Sequence, residues 1–405
     1  MQRAIKAVSA ISVFLCVFLF AFVCYGTVSV PDSFTVADSF SADTGSPFFN
    51  CVCDSDAVST GSTLTQTYSA QIKLFNFVPV KNSTVTVVNR RYVTPGGQPF
   101  GLRIFTDGVV VTGVGSVPVD GGTAYPAKKA GIKQGDIIKK INGTSVTSNQ
   151  DITRLVENCD GKALSVELIH NGKDKKVSLL PAKQSADGKY RIGLWVRDSS
   201  AGVGTVTFVD NTTGLFAGLG HAICDVDTGD AMPLRTGDIV GATIRGCVKG
   251  TSGTPGELCG VFSTGVIGEL FINGSKGVYG ILNETEKKAK RIPVALSEEV
   301  KVGKAEVIST VSGTTPDYYE IEIVKIYKSD GEEKNMVIKV TDEDLLKKTG
   351  GIVQGMSGSP IIQNGMLVGA VTHVFVNDPQ QGYAIFAEQM LDTADTLLKE
   401  LENAA

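Results

Sequence analysis

The chain has 405 residues, of which 38 are basic and 42 are acidic, so its formal net charge is −4. This length is enough for two or three domains, and a weakly acidic surface lacks the basic stripe that holds a nucleic-acid backbone, so no nucleic-acid partner is expected. With 42% hydrophobic and 20% charged residues, the composition excludes a disordered chain and a multi-span membrane protein.

Glycine content and cysteine spacing narrow the class further. The 46 glycines and the low aromatic content of 7% favour a turn-rich, mainly β protein. The eight cysteines are too scattered for a disulfide scaffold, and the close pair Cys51 and Cys53 lacks the C-x-x-C spacing of zinc sites. The sequence therefore indicates no metal site and no cofactor.

The amino-terminal segment, residues 1–30, predicts a transmembrane helix that anchors the chain. Arg3 and Lys6 precede an uncharged run from Ala7 to Val30 that is long enough to span a bilayer. A cleaved signal peptide is the alternative, but no A-x-A-like pattern follows the apolar core. Because positive charges stay on the cytoplasmic side, both interpretations place the rest of the chain outside the cytoplasm.

Residues 31–96 contain two segments of different character. Residues 31–70 are rich in Ser, Thr and Asp and have no sustained apolar period, which is typical of a flexible spacer. In residues 71–96, short alternating apolar runs bounded by Asn, Pro and Gly predict β-strands that lead into the first folded domain.

Residues 97–185 follow the order of elements of a PDZ domain. The run A-G-I-K-Q-G-D-I-I-K-K-I-N-G at 130–143 predicts the end of a short helix, then a turn, then a strand that enters an Asn-Gly turn. Apolar residues at helical spacing predict a second helix over 149–158, and strands at 164–169 and 176–180 complete the order. The run at 130–143 resembles the signature of bacterial PDZ domains.

PDZ domains bind an extended peptide as an added strand and hold its terminal carboxylate on a Gly-rich loop. We expect that loop at Phe100, Gly101 and Leu102, with the peptide-binding strand starting at Arg103. The alternative is a PDZ fold that packs against its neighbour and binds no peptide.

Residues 191–405 predict an all-β domain that contains an exposed serine. Short strands at turn-punctuated intervals favour a barrel or sandwich. In the motif G-M-S-G-S-P at 355–360, the glycines allow a tight turn that pushes the hydroxyl of Ser357 outward. The same turn can aim the N–H groups of Gly355 and Ser357 at a single oxyanion. This motif and the hairpin after it resemble the nucleophile region of chymotrypsin-like serine peptidases, so we expect a double β-barrel.

Serine needs a base, and the chain has three histidines. His170 follows the PDZ strand at an Asn-Gly turn and is most simply a solvent-exposed turn residue. His373 lies on the strand that leaves the serine hairpin. His221, in G-L-G-H-A at 218–222, precedes the serine by a long stretch, as expected when base and nucleophile lie on opposite barrels, so we favour His221 over His373.

The carboxylate that would orient the histidine stays open at this point. Asp225 and Asp227 are close to His221 in sequence, whereas Asp342 and Asp344 precede the serine. Each of these four acids, taken alone, is more often a turn or helix-cap residue than a member of a catalytic triad.

Taken together, the two modules resemble the sporulation stage IV protein B (SpoIVB) serine peptidase family, which joins a membrane anchor, a PDZ domain and a chymotrypsin-like peptidase domain. The residues that carry the resemblance are G-L-W-V-R-D-S-S-A-G-V-G-T-V-T-F at 193–208, G-L-G-H-A-I at 218–223 and T-G-G-I-V-Q-G-M-S-G-S-P-I-I at 349–362. The resemblance does not cover the spacer.

The resemblance implies roles for individual residues and a function. Ser357 would be the nucleophile, His221 the base and Asp342 the acid, with Ser359 structural. The function would be that of a signalling endopeptidase between the two membranes of a developing endospore. It would cut regulators of an intramembrane metalloprotease that releases a late sigma factor. The PDZ domain would hold the membrane-associated target or the protease's own amino-terminal segment.

Three other functions fit parts of the pattern less well. Heat-shock-type PDZ proteases place the peptidase before the PDZ domain, the reverse of the order here. An inactive membrane-tethered PDZ scaffold would be expected to lack one of the Ser, His or Asp residues. A cysteine enzyme using Cys224 is disfavoured because, on a strand, side chains three residues apart, such as those of Cys224 and His221, point to opposite faces.

Overall fold

The computed structural model describes residues 2–37, 44, 46–53, 65–327 and 333–404. The chain divides into two compact units, Met1–Arg91 and Tyr92–Ala405. The first unit consists of α1 (Gln2–Ser29), β1 (Ser33–Ala37), β2 (Phe49–Cys53), β3 (Thr65–Leu74) and β4 (Val78–Val88).

In the first unit, one apolar helix adjoins a four-stranded sheet. Among the described residues, Ser9–Ser29 of α1 is the one segment long and apolar enough to be a membrane anchor or a signal sequence. The strands are ordered β1-β4-β3-β2, and one sheet face buries Phe34, Phe49, Ile72 and Val85.

This sheet corrects the expectation of a flexible spacer over 31–70. β1, β2 and the first part of β3 all fall in that range, and β3 pairs with β4 along its length, from Thr65↔Val88 to Leu74↔Val78. Isolated Ser- and Thr-rich strands give no apolar period because their stabilising partners are distant in sequence. The segment 54–64, which includes the rest of the predicted spacer's Ser/Thr run, lies outside the described residues.

The second unit is built mainly of strands. Its first half contains β5 (Tyr92–Pro95), β6 (Pro99–Val114), β7 (Val117–Val119), β8 (Gly122–Ala124), α2 (Pro126–Lys129), β9 (Ile137–Ile141), β10 (Thr144–Ser145), α3 (Asn149–Glu157), β11 (Leu164–His170), β12 (Lys173–Leu179), β13 (Ala182–Lys183) and β14 (Tyr190–Arg191). Its second half contains β15 (Leu194–Asp210), β16 (Leu215–Gly218), β17 (Leu234–Val248), β18 (Glu257–Gly274), β19 (Gly277–Leu282), β20 (Ile292–Pro293), β21 (Gly303–Ser309), β22 (Asp317–Ile326), β23 (Met336–Val340), α4 (Glu343–Thr349), β24 (Pro360–Gln363), β25 (Met366–Phe375), β26 (Asp378–Phe386) and α5 (Ala387–Ala404).

Two six-stranded barrels confirm the predicted chymotrypsin-like double barrel. In the first barrel, β6, β17, β18, β19, β16 and β15 pair in this order, and β15 pairs back with β6 to close it. In the second barrel, β21, β22, β23, β26, β25 and β24 close in the same way. The carboxy-terminal helix α5 buries Met390, Ala394 and Leu397 in a core that both barrels share. This core includes Phe208 of the first barrel and Ile385 of the second.

The PDZ domain uses the order β12-β11-β9-β6 and closes on the first residues of β15. Its helix α3 begins with a capping box, because the Ser148 hydroxyl accepts from the Asp151 N–H while the Asp151 carboxylate accepts from the Ser148 N–H. Ile152 and Val156, one turn apart, bury the apolar face of α3. The helix predicted over 149–158 from its apolar spacing is therefore confirmed.

Two long strands belong to both the PDZ domain and the first barrel. The segment 99–105 of β6 lies in the barrel between β15 and β17, whereas 109–114 lies in the PDZ sheet. Phe100 and Leu102 pack in the core of the barrel. The predicted domain boundaries are corrected accordingly, because the peptidase barrel takes the strand segment 99–105 from the predicted PDZ range 97–185 as well as strands from 191–405.

This shared strand gives the first prediction. A fragment of residues 191–405 should not fold, because it lacks β6, which hydrogen-bonds to strands on both sides and fills the first barrel's core. A fragment of residues 92–405 should unfold cooperatively on heating. Near-ultraviolet circular dichroism and thermal unfolding of the two purified fragments measure this. A folded 191–405 fragment would contradict the shared-strand architecture.

Candidate active site

Two glycines shape the loop that carries Ser357, here called the serine loop (residues 353–359). Gly355 has φ +95° and Gly358 has φ +93°, a left-handed backbone that favours glycine. A Cβ atom on Gly358 would overlap the carbonyl oxygen of Thr205 and the amide nitrogen of Leu219. The serine loop therefore lies directly against the first barrel, close to the segment that leads to His221.

Two N–H groups at the predicted nucleophile, those of Gly355 and Ser357, have no hydrogen-bond acceptor among the described residues, and in the serine loop the N–H of Val353 has none either. Met356, Gly358 and Ser359 donate their N–H groups to backbone carbonyls at 3.1, 2.7 and 2.9 Å. No hydrogen bond among the described residues uses the N–H of Gly355 or of Ser357. Free donors at these two positions are what an oxyanion hole requires, and the assignment stays a prediction.

The segment that carries His221, here called the histidine loop (residues 219–232), meets the second barrel at β25. A Cβ atom on Gly220 would come within 2.9 Å of the side chain of Thr372. The ring centroids of His221 and His373 lie 4.8 Å apart, with the ring planes tilted by 38°. The Ser357 hydroxyl donates to the carbonyl oxygen of Thr372 at 2.7 Å. The structure thus brings the predicted nucleophile and both candidate bases to one region between the barrels.

In this state each of the two predicted catalytic side chains bonds to a backbone carbonyl. Besides the bond from Ser357 to Thr372, His221 Nδ1 lies 2.8 Å from the carbonyl oxygen of Ala222, which can only accept. Nδ1 therefore carries the proton, so the neutral ring leaves Nε2 free to accept one. No hydrogen bond joins Ser357 to His221 in the part of the chain that the structure describes.

Burial sets the protonation of the histidine pair. Burial lowers the pKa of His221, while the hydrogen bond to Ala222 and the negative charge of Glu333 partly oppose that shift. Burial also lowers the pKa of His373 to about 4, and the neighbouring charges of His221 and Lys334 act in the same direction. Both rings are therefore neutral at neutral pH, which is the form that a general base needs.

The predicted acid Asp342 serves as a helix cap. Its carboxylate accepts from the N–H of Leu345 at 2.8 Å, at the start of α4, and from the N–H of Glu320 at 3.3 Å. No hydrogen bond joins it to His221 among the described residues. The alternative Asp344 is exposed and lies 3.8 Å from Lys347. Glu333, whose charge does act on His221, had no sequence signal because it belongs to no motif.

The acids close to His221 in sequence are bound to an arginine. Asp225 is 2% exposed, and both Asp225 and Asp227 form ion pairs with Arg197 of β15. The second oxygen of Asp225 accepts the N–H groups of Asp227 and Thr228, each at 3.0 Å. These acids therefore order the histidine loop from outside the catalytic region.

His170 and Cys224, to which the sequence analysis gave no catalytic role, have surroundings that differ from the predicted ones. His170, predicted to be a solvent-exposed turn residue, lies with Nδ1 2.6 Å from the carboxylate of buried Asp136. Cys224 is not on a strand, and its Sγ lies 3.8 Å from the Ala222 carbonyl that also accepts from His221. Burial raises the pKa of the Cys224 thiol, so the thiol stays protonated at neutral pH and is a poor nucleophile.

The predicted carboxylate loop of the PDZ domain is corrected by the structure. Phe100 is 1% exposed, and Gly101 pairs with Val203 on one side and Val240 on the other. Leu102 and Arg103 continue the same strand, also paired on both sides. A stretch with both edges paired has no backbone groups left for an added strand, so Phe100–Arg103 cannot bind a peptide in this way.

A groove suited to an added strand lies instead between α3 and the start of β15. It encloses a cavity of about 420 Å³ whose lining includes Ile152, Val156, Ile192, Leu194 and Trp195. One edge of residues 194–197 pairs with β6, and no other described strand pairs with this segment. Gly193, with φ +68°, makes the turn before it. The sequence feature that could have identified this groove is the run G-L-W-V at 193–196. It follows the closing strands of the PDZ domain and was therefore attributed to the peptidase domain.

Two family models match the chain. The family described as SpoIVB peptidase S55 matches residues 188–391, about half of the chain. The family described as PDZ domain matches residues 81–180. These matches agree with the two folded modules.

Two curated proteins are similar to part of this chain. The chain is 33% identical over 97 residues to a Lactococcus lactis protein named as a zinc metalloprotease, LL2128. It is 35% identical over 89 residues to a similarly named Clostridium acetobutylicum protein, CA_C1796. The first match covers 24% of this chain and 21% of the Lactococcus lactis protein. The second covers 22% of this chain and 25% of the Clostridium acetobutylicum protein. The chain therefore spans about a quarter or less of the length of these curated relatives.

Solved structures with partial similarity include two proteases. The HtrA-type protease AlgW with a decapeptide has a TM-score of 0.30 at 11% identity, over 50% of this chain and 55% of that chain. The Rv3671c protease from M. tuberculosis, in its active form, has a TM-score of 0.28 at 15% identity, over 48% of this chain and 72% of that chain.

The protonation of His221 gives the second prediction. If His221 is the base, as predicted, its neutral ring is the active form, and this form is lost as pH falls through its pKa, which burial holds below the usual 6.5. The rate at which a fluorophosphonate labels the serine should therefore reach half its plateau below pH 6.5. His170→Gln serves as the control, because His170 lies in the PDZ domain, and it should leave this midpoint unchanged. A midpoint above 6.5 would contradict the assigned base.

Proposed function

The chain belongs to the SpoIVB peptidase S55 family and carries a PDZ domain, and from this premise we propose that it is a membrane-tethered serine endopeptidase of sporulation signalling. The observation that supports the proposal best is that the serine loop and the histidine loop meet at Thr372, and that the N–H groups of Gly355 and Ser357 have no acceptor in the described part of the chain. A β-domain used only for packing needs neither feature.

In the proposed mechanism, Ser357 Oγ attacks the carbonyl carbon of the peptide bond. His221 Nε2 takes the proton from Oγ as the new bond forms. The N–H groups of Gly355 and Ser357 bind the oxyanion of the tetrahedral intermediate. His221 then gives its proton to the leaving amine, and a water molecule hydrolyses the acyl-enzyme by the same steps in reverse.

A rearrangement precedes the first step, because the Ser357 hydroxyl donates to the Thr372 carbonyl and has to turn towards His221. Catalytic hydrogen bonds are often incomplete before substrate binds, so the bond to Thr372 is compatible with an active enzyme. The acid is assigned to Asp342 by the family resemblance alone, and Glu333 is the carboxylate whose charge acts on His221 in this state.

The proposed substrates are proteins at a membrane, namely regulators of an intramembrane metalloprotease whose cleavage leads to late sigma-factor activation. The peptidase would act outside the cytoplasm, in the space between the membranes of a developing endospore. The groove between α3 and β15 would bind an extended peptide of the target or of the chain's own amino-terminal segment as an added strand. Tether and groove would both raise the local concentration of substrate.

The third prediction tests the nucleophile. Ser357→Ala should abolish labelling of the full chain by a fluorophosphonate and abolish proteolysis, because it removes the hydroxyl that forms the covalent bond to the probe and to the substrate. Ser359→Ala is the matched control. Ser359 is fully buried and bonds to Ser309 at 2.9 Å, so its loss should cost about 1 kcal/mol of stability and leave labelling intact. Labelling of Ser357→Ala at the normal rate would remove the assignment.

The fourth prediction tests the acid. Asp342→Asn should slow labelling by orders of magnitude while the melting temperature changes little, because Asn caps a helix about as well as Asp. Glu333→Gln is the comparison, since it removes the carboxylate whose charge acts on His221. Normal labelling of Asp342→Asn together with slow labelling of Glu333→Gln would move the role of the acid to Glu333.

A further inference from the structure

One arginine connects the strand of the PDZ groove to the histidine loop. Arg197 lies in β15, three residues after Leu194, which lines the groove. Its guanidinium forms an ion pair with Asp225 and a second one, at 2.8 Å, with Asp227. Asp225 is almost completely buried, so this carboxylate has essentially no water to replace its partner.

The two acids hold the histidine loop in one shape. The Asp225 carboxylate closes a turn by accepting the N–H groups of Asp227 and Thr228. Gln134, in the PDZ domain, donates its side-chain N–H to the carbonyl of Asp227 at 2.7 Å. Contacts from the PDZ side therefore fix this turn, which begins only four residues after His221.

The same strand then reaches the serine loop. The N–H of Thr205 donates to the carbonyl of Ser357 at 3.0 Å, and its hydroxyl donates to the carbonyl of Gly355 at 2.8 Å. The Thr207 hydroxyl donates to the carbonyl of Gly358 at 2.8 Å. β15 thus contacts both loops that carry the predicted catalytic groups, and Arg197 is its side-chain link to the one that carries the base.

We propose that Arg197 is a positioning residue for catalysis. Its ion pairs with Asp225 and Asp227, formed from β15, fix the position of His221 relative to Ser357. The inference rests on the proposed function, because it concerns the same catalytic pair. It makes the PDZ side of the molecule part of the catalytic arrangement. A shift of about 1 Å in a reacting group can cost about a hundredfold in rate, so a loosened loop suffices for a large loss.

Arg197→Met tests the proposal, because Met keeps a long apolar stem and removes both ion pairs. In the full chain, the maximal rate of fluorophosphonate labelling should fall about tenfold or more, with an unchanged half-saturating probe concentration, because the probe's contacts are kept and only the base is displaced. Arg197→Lys should recover part of the rate, since one ammonium can pair with one carboxylate at a time. A maximal rate for Arg197→Met equal to that of the unaltered chain would overturn the proposal.

A double variant separates positioning from loss of stability. Arg197→Met leaves the buried charge of Asp225 unpaired, whereas adding Asp225→Asn removes that charge and keeps an oxygen to close the turn. If Arg197 acts by positioning, the double variant should regain thermal stability and stay slow. Recovery of both stability and rate would overturn the proposal. Arg154→Met is the matched control, because Arg154 is exposed and pairs with Asp151 within α3, and it should label normally.

Hydrogen exchange separates this inference from the proposed function. In Arg197→Met, the amides of residues 221–232 should exchange faster, while those of the serine loop should keep their protection. If the unaltered chain is not labelled at Ser357, the proposed function fails whatever the exchange shows. If it is labelled and the exchange of 221–232 is unchanged in Arg197→Met, the positioning role fails alone.

Discussion

The predicted catalytic arrangement depends on the contact between the serine loop and strand β15. There is no room for a side chain at Gly358 because the Thr205 carbonyl and the Leu219 amide occupy that space. Three hydrogen bonds from Thr205 and Thr207 then hold the serine loop at that distance. These bonds cross between the two barrels. They therefore fix the second barrel, which carries the serine, against the first barrel, which carries the histidine.

Local signals in the sequence were sufficient for the features that local backbone chemistry determines. The run at 130–143, the helix α3 and the serine loop each follow from a capping residue or from glycines in left-handed conformations. The shared strands could not be predicted in this way. Phe100 pairs with Gly204, and nothing in either segment identifies a partner about a hundred residues away. The boundaries at 97 and 191 and the position of the carboxylate loop were misplaced for this reason.

The acids illustrate the same limit within the site. The sequence left four aspartates as candidates for the carboxylate that orients His221. In the structure each of the four has a local role, in a turn, an ion pair or a helix cap. Such roles are the reason why the sequence alone could not decide among them. Glu333 has no motif, yet its charge acts on His221. Electrostatic proximity depends on how the second barrel folds back on the first, and that arrangement is not encoded in the spacing of any short segment.

The sharing of β6 and β15 also limits how the role of the PDZ domain can be established. In a chain of separable modules, deleting one leaves the others folded, and the loss of function measures its contribution. Here a deletion across residues 97–185 would remove the barrel strand 99–105 and the Gln134 contact to the histidine loop along with the groove. Loss of activity after such a deletion would not distinguish peptide binding from damage to the catalytic centre. Point changes at α3 residues that line the groove keep the barrel strand and the Gln134 contact, so they separate the two explanations.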